Sequence, residues 1–353
     1  MSAVTRLLRP EILALEPYAH AAYEPALERL HANENPWRDE ADGTRAGLNR
    51  YPEPEPTAVE ARLAHLYGVA PGQLLAGRGS DEGIDLLARA VLRPGADAAL
   101  ICPPTFGMYA LAARIQGARL IEVPLERSAG FALDEALVLA RATDAVRLVF
   151  LCSPNNPTGN MIDPASIERI TTRLAGRALV VVDEAYLEFS GAASLAPRIA
   201  SLPNLVVLRT LSKAYALAGA RCGAVLADAA LIERLRAIRP PYSMPTPCIE
   251  AVLRALEPDA VRRAAVRIEQ LKAERARLEA RLPGSALVRR LWPSRANFVL
   301  VECTDPAAVL ARARAAGLLL RDFSRAALTA GAVRISVGTP EQNERLLAAL
   351  GAP

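Results

Sequence analysis

Between about residues 73 and 238, short apolar runs alternate with amphipathic stretches. Seven of the runs have the length and apolar content of strands: 73–76, 98–102, 119–123, 147–152, 178–183, 204–210 and 222–227. In Ala178-Leu-Val-Val-Val-Asp183 every residue before the aspartate is apolar, as expected of a strand covered on both faces. Between the runs, the pattern predicts helices over 81–92, 106–116, 164–175 and 228–239. Ser80 followed by Asp81 and Glu82 reads as an N-cap with acids in the first turn. Such alternation predicts an α/β fold, a mostly parallel sheet between two layers of helices.

The texture changes at the Pro-rich stretch Arg239–Pro247. One long charged helix is predicted over 248–281. A strand at 296–303, a helix at 305–316, strands at 318–322 and 332–337 and a helix at 340–350 then form a small α+β unit. The first 50 residues hold several prolines and little periodicity, which suits an arm lying over another surface. The expected division is an arm over 1–45 that contributes to the small domain, a large domain over 46–245 and a small C-terminal domain over 246–353.

Composition narrows the classes. The chain has 353 residues, 52% hydrophobic and 23% charged, so it is globular. Its net charge of +4 comes from interleaved bases and acids, which argues against a nucleic-acid surface. No apolar run is long enough to span a bilayer, and early charges disfavour a signal peptide, so a cytoplasmic protein is expected. The five cysteines (102, 152, 222, 248, 303) show no C-x-x-C, and four read as buried free thiols. With three histidines and no paired ligand spacing, a metal site is not expected. There is no G-x-S-x-G elbow for a serine hydrolase.

In a doubly wound sheet, ligands gather at the carboxyl ends of the strands. After 73–76 comes Gly77-Arg-Gly-Ser-Asp-Glu-Gly83, which fits a phosphate-binding helix start or an ordinary turn. After 98–102 comes Phe106, a core residue or a ring to stack on a ligand. After 147–152 the turn Asn155-Asn156-Pro-Thr-Gly159 offers the Asn156 amide. Asp183 closes an apolar strand, where a charge needs a partner: backbone N–H groups or a cationic ring nitrogen.

Only two of the 42 basic residues are lysines, Lys213 and Lys272; the others are arginines. Lys213 follows the strand at 204–210 among small and apolar residues, with no acid within a helical turn. Burial lowers an ammonium's pKa and turns it into a nucleophile, a role arginine cannot fill. Lys272 sits among charges on a helix, with Glu269 at i−3, and reads as a solvated surface residue.

In order, these segments resemble the fold-type I aminotransferases that use pyridoxal phosphate (PLP). Within that group the chain more closely resembles the histidinol-phosphate aminotransferases. The phrases that carry the likeness are Ala32-Asn-Glu-Asn-Pro36, Tyr51-Pro52, Arg78-Gly-Ser-Asp-Glu-Gly-Ile84, Cys102-Pro-Pro-Thr-Phe-Gly-Met-Tyr109, Val182-Asp-Glu-Ala-Tyr-Leu-Glu188, Thr210-Leu-Ser-Lys213 and Val333-Arg-Ile-Ser-Val-Gly338. Phe106 departs from the tyrosine frequent at that place, and stacking needs only the ring.

The resemblance implies that Lys213 links the cofactor and then acts as the general base. It implies that Asp183 faces the ring nitrogen, Asn156 and Tyr186 the ring hydroxyl, and Phe106 the ring face. Ser80, Asp81, Ser212 and Arg221 would hold the phosphate, joined by Tyr51 from the other subunit of a homodimer, to which the N-terminal arm contributes. Arg334, with Arg321 as a second candidate, would grip the anionic group of the substrate, and Tyr18 and Tyr23 would cover it. The implied reaction is a ping-pong amino transfer between L-glutamate/2-oxoglutarate and histidinol phosphate/imidazole-acetol phosphate, in L-histidine biosynthesis. Rival readings are an aromatic amino-acid aminotransferase, a phosphothreonine-type decarboxylase, and a non-catalytic binding or regulatory protein. The last requires a lost lysine or an added DNA-binding segment, and neither is seen.

Overall fold

A computed structural model describes residues 4–24 and 26–353. Seven strands form the larger sheet: β1 (Leu74–Gly77), β2 (Ala98–Ile101), β3 (Arg119–Glu122), β4 (Val146–Cys152), β5 (Leu179–Asp183), β6 (Leu205–Thr210) and β7 (Gly223–Leu226). Their order is β1-β7-β6-β5-β4-β2-β3. Pairing from β3 through β6 is parallel, and β7 runs antiparallel to both β6 and β1.

The helices are α1 (Pro10–Leu13), α2 (Thr57–Tyr67), α3 (Ser80–Val91), α4 (Met108–Ile115), α5 (Glu135–Arg141), α6 (Pro164–Arg173), α7 (Ala229–Ile238), α8 (Thr246–Ala255), α9 (Pro258–Arg281), α10 (Pro306–Ala315) and α11 (Pro340–Leu350). Strand β5 shows why helices must cover both faces of the sheet. Val180 and Val182 point into one layer with Ile167 and Ile170 of α6. Leu179 and Val181 point into the other, with Ile84 and Leu87 of α3 and Leu231 of α7. All four strand side chains are buried, each worth roughly 1.5–3 kcal/mol relative to exposure. Val4, Leu7 and Leu8 of the N-terminal arm pack into this second layer, so the start of the arm joins the large domain and not the small domain expected, because its apolar residues meet α3 and α7.

A second, antiparallel sheet has the order β10-β11-β9-β8, from β8 (Val288–Trp292), β9 (Phe298–Cys303), β10 (Arg321–Asp322) and β11 (Ala332–Ser336). Val299, Val301 and Val333 meet Leu278 of α9, Val309 of α10 and Leu347 of α11 in a separate core.

Some elements differ from expectation. The stretch 248–281 is two helices, because Pro258 has no N–H to continue a helix and Glu257 before it is extended (ψ 146°). Strand β8 went unpredicted, since Arg289 and Arg290 face solvent at the edge of its sheet. Helices α2 and α5 were also unpredicted, and the strand expected at 318–322 shrinks to Arg321–Asp322. Ser80 is not an N-cap. It is the first helical residue, the cap position is Gly79 (φ 91°), and no side chain caps the helix.

Candidate active site

The carboxyl ends of β4, β5 and β6 open into a cavity of about 660 Å³. From the large-sheet side it is lined by Ser80, Asp81, Phe106, Asn156, Asp183 and Tyr186. Ser212, Lys213 and Arg221 follow from the β6–β7 connection, and Arg321 and Arg334 reach in from the second sheet. Segments far apart in sequence thus converge on one space between the two sheets.

The uncapped start of α3 forms one wall. Free amides there and the helix dipole favour an anion. Two glycines let the backbone close up. A Cβ on Gly79 would stand 2.9 Å from the Arg221 guanidinium, and one on Gly223 would stand 2.7 Å from the Ser80 nitrogen. Arg221 bridges the wall, donating to Asp81 Oδ2 at 3.2 Å and to Ser212 Oγ at 3.5 Å. The Thr210 hydroxyl donates to Ser212 Oγ at 3.0 Å.

Asp183 lies at the end of β5, 3% exposed. Its Oδ1 accepts from the Ala185 N–H at 3.0 Å and its Oδ2 from the Tyr109 hydroxyl at 2.7 Å. Burial pushes the carboxyl up to about 6, against the pull of those two donors. Behind it, Arg209 donates to Glu184 Oε2 at 2.9 Å and to Glu188 Oε1 at 2.7 Å, and lies 4.7 Å over the Tyr67 ring. This buried pairing ties the ends of β5 and β6 together beneath the cavity floor.

Lys213 lies open to the cavity, with its Nζ 5.8 Å from the Tyr186 ring centre. The surrounding protein lowers its pKa by desolvation, then by the positive charges of Arg334 and Arg221. Among the described residues no carboxylate forms an ion pair with it. Lys272, by contrast, donates to Glu269 Oε1 at 2.9 Å on the outer helix α9.

Asn156 joins the two sheets. Its Nδ2 donates to the Tyr186 hydroxyl oxygen at 3.4 Å, and its Oδ1 accepts from Arg334 Nη1. The Arg334 guanidinium packs 5.2 Å from the Phe298 ring centre and 5.5 Å from that of Phe323, and its Nε is buried without a partner. Arg321 stands directly across from it in the β10–β11 register. Four cationic side chains and two carboxylates therefore line the cavity, a balance that suits anionic ligands.

Three expected residues lie elsewhere on this chain. Tyr51 is 51% exposed and stacks on Tyr242 with ring centres 4.7 Å apart. Tyr23 lines the same outer hollow as Tyr51, and Tyr18 is 71% exposed. Tyr109, Thr210 and Phe323 were not among the expected site residues, and Cys152, expected as a buried thiol, also lines the cavity. Tyr109 had one signal, its place three residues after Phe106, one helical turn along. The cysteines are all free: Cys102, Cys152, Cys222 and Cys303 are buried and Cys248 is half-buried. Among the described residues, no cluster of side chains could hold a metal ion.

The chain is similar to known proteins over nearly all its length. Residues 23–350 match the family model for aminotransferase class I and II. A histidinol-phosphate aminotransferase of Stenotrophomonas maltophilia is 49% identical over 354 residues, covering 99% of this chain and 97% of that protein. One from Xylella fastidiosa is 51% identical over 323 residues, 91% of this chain and 88% of that protein. The crystal structure of the Sinorhizobium meliloti histidinol-phosphate aminotransferase, in complex with pyridoxal-5′-phosphate, is 28% identical with a TM-score of 0.75, covering 86% of this chain and 82% of that one. The cavity, with its lysine, buried aspartate and anion wall, lies within the matched region. The chain belongs to the class I and II aminotransferase family, whose members depend on pyridoxal phosphate.

Proposed function

We propose that this protein exchanges an amino group between L-glutamate/2-oxoglutarate and histidinol phosphate/imidazole-acetol phosphate, in L-histidine biosynthesis. The observation that carries the reading is the opposed pair Arg321 and Arg334 at the mouth of the Lys213 cavity. Two adjacent guanidinium groups without a carboxylate between them suit a substrate that ends in phosphate, and one of them suffices for a carboxylate. The names of the relatives at 49% and 51% identity support the same substrate.

The residues present fit pyridoxal phosphate. The Gly79/Gly223 close approach, which a Cβ on either residue would break, sets the α3 amides beside Arg221 and Ser212, and these would hold the phosphate. Asp183, buried and anchored at both oxygens, would face the ring nitrogen, and a cation beside it would stabilise its ionised form. Asn156 and Tyr186 would meet the ring hydroxyl, and Phe106 the ring face. The cofactor supplies a cationic ring that draws off the electron pair left when the substrate's Cα–H bond breaks.

The protein's own part follows from its geometry. Lys213, with its pKa lowered, would carry the cofactor and then take the Cα proton on Nζ. Arg334 would orient the substrate's anionic group while holding Asn156 through its Oδ1. Substrate position and ring-hydroxyl contact are thus coupled through one hydrogen bond.

The arm leaves Tyr18, Leu27, Leu30 and Trp37 exposed and Tyr51 beyond it is exposed too, which supports a homodimer in which Tyr51 serves the neighbouring subunit's phosphate and the arm, with Tyr18 and Tyr23, covers the substrate. The separate core of α9, α10, α11 and the second sheet supports a small C-terminal domain within the proposed 246–353, while Val252 of α8 and Leu256 at its end pack into the core of the large domain proposed over 46–245. Among the described residues no helix is long and apolar enough to cross a membrane, in keeping with a cytoplasmic enzyme.

The test compares specificity constants for histidinol phosphate and phenylalanine. A clear preference for histidinol phosphate is expected. A preference for phenylalanine would favour the aromatic aminotransferase reading, and carbon dioxide release from carboxyl-labelled phosphothreonine would favour the decarboxylase.

A further inference from the structure

Tyr109 lies in the first turn of α4, and its ring is fully buried. The ring stacks on Phe150 with centres 4.8 Å apart at 5°, and meets Phe106 edge-on at 5.7 Å. A buried phenol needs a hydrogen-bond partner. This one donates to Asp183 Oδ2 at 2.7 Å. Cys152, the register neighbour of Asp183 on β4, gives its S–H to the Pro154 carbonyl at 3.3 Å instead. The charged groups that face Asp183 are Asp81 at the start of α3, Glu184 next in its own chain, and Lys213 beyond β6. Both carboxylates disfavour ionisation of Asp183. The Tyr109 hydroxyl is the side-chain donor that opposes them.

We infer that Tyr109 is a positioning residue for amino transfer: its phenol O–H holds the Asp183 carboxylate ionised and fixed in orientation for a cationic ring nitrogen. The inference rests on the reading of Asp183 as that nitrogen's partner. Without the phenol O–H, Asp183 becomes the stronger base and draws the proton off the ring nitrogen. The bond between cofactor and Lys213 then loses a neighbouring positive charge and gives up its proton at higher pH.

The test uses the PLP-loaded protein as wild type, Tyr109→Phe and Asp183→Asn, and with 3-fluorotyrosine incorporated at position 109. Two quantities are read: the PLP dissociation constant, and the pH midpoint of the absorbance band of the cofactor–lysine bond. For Tyr109→Phe, PLP binding roughly tenfold weaker is expected, the effect of losing a hydrogen bond to a charged group. Its midpoint should rise by about half to one pH unit, in the direction of Asp183→Asn but by less. Fluorotyrosine is a stronger donor and should lower the midpoint. It keeps the shape of tyrosine, so it decides the matter alone if Tyr109→Phe fails to fold. If Asp183→Asn moves the midpoint and neither Tyr109 change does, the Tyr109 inference is overturned. If Asp183→Asn itself moves nothing, the Asp183 assignment fails first, and the Tyr109 inference with it.

Discussion

Replacing Arg321 by glutamine should have two effects of opposite sign. Arg321 and Arg334 oppose each other across antiparallel β10 and β11, so their charges repel when no anion lies between them. A like-charged pair in that position destabilises by roughly 0.2–1 kcal/mol. Arg321 is solvent-exposed, which places the pair toward the low end of that range. The free variant should therefore melt no lower than wild type and up to about 2 °C higher. Substrate binding moves the other way. A charge-assisted hydrogen bond lost in the transition state is worth roughly 1.5–3 kcal/mol, a fall of about 10- to 150-fold in kcat/KM. That fall should be confined largely to histidinol phosphate, because glutamate keeps Arg334, still fastened to Asn156. Single-turnover kinetics with each donor, together with thermal unfolding, measure both signs on one variant. An unchanged specificity constant for histidinol phosphate, or melting several degrees lower, would refute the picture of Arg321 as an anion grip held against repulsion.

Three further outcomes follow from the same geometry. Lys213→Ala should lose turnover and borohydride-fixed labelling by PLP, whereas Lys272→Arg should keep both within about twofold, because Lys272 makes only an exposed pair with Glu269. In the cofactor-free protein Asp183 titrates near 6 against an ordinary value of 3.8. Between those values the unfolded chain releases a proton that the folded chain keeps, so wild-type stability falls as pH rises and the loss is complete above about 6. Cofactor-free Asp183→Asn should therefore be more stable than wild type at pH 7 by up to about 3 kcal/mol, with the gap closing toward pH 4 in urea unfolding. Arg209→Met leaves the buried Glu184 and the half-buried Glu188 without their cation and should cost about 3 kcal/mol. The triple variant with Glu184→Gln and Glu188→Gln should recover part of that loss, and no recovery would mean that the charge pairing is not its source.

Much of this was legible in the sequence because strand ends collect the chemistry. The start of α3, the loop after β4, the last residue of β5 and the loop after β6 supply Ser80, Asn156, Asp183 and Lys213; the first three were readable from a turn motif or a polar residue closing an apolar run, and Lys213 from the scarcity of lysine. Arg321 and Arg334 came from resemblance. Their mutual opposition depends on the register of a two-residue strand that no periodicity marks. Tyr109 was hidden for a different reason. Its helix buries an apolar face, and a tyrosine on such a face looks like core until the position of its hydroxyl is known. The break before α9 was present in the chain as Pro258, but the charged pattern on both sides masked it.

The scarcity of lysine has a practical consequence. A protease that cuts only after lysine has two targets here, one inside the cavity at Lys213 and one on the outer helix at Lys272. Amine-reactive reagents face the same choice, apart from the chain's α-amino group. Labelling at Lys272 can thus serve as an internal standard for labelling at Lys213, and the ratio of the two peptides would report cofactor occupancy in a crude extract without any assay of turnover.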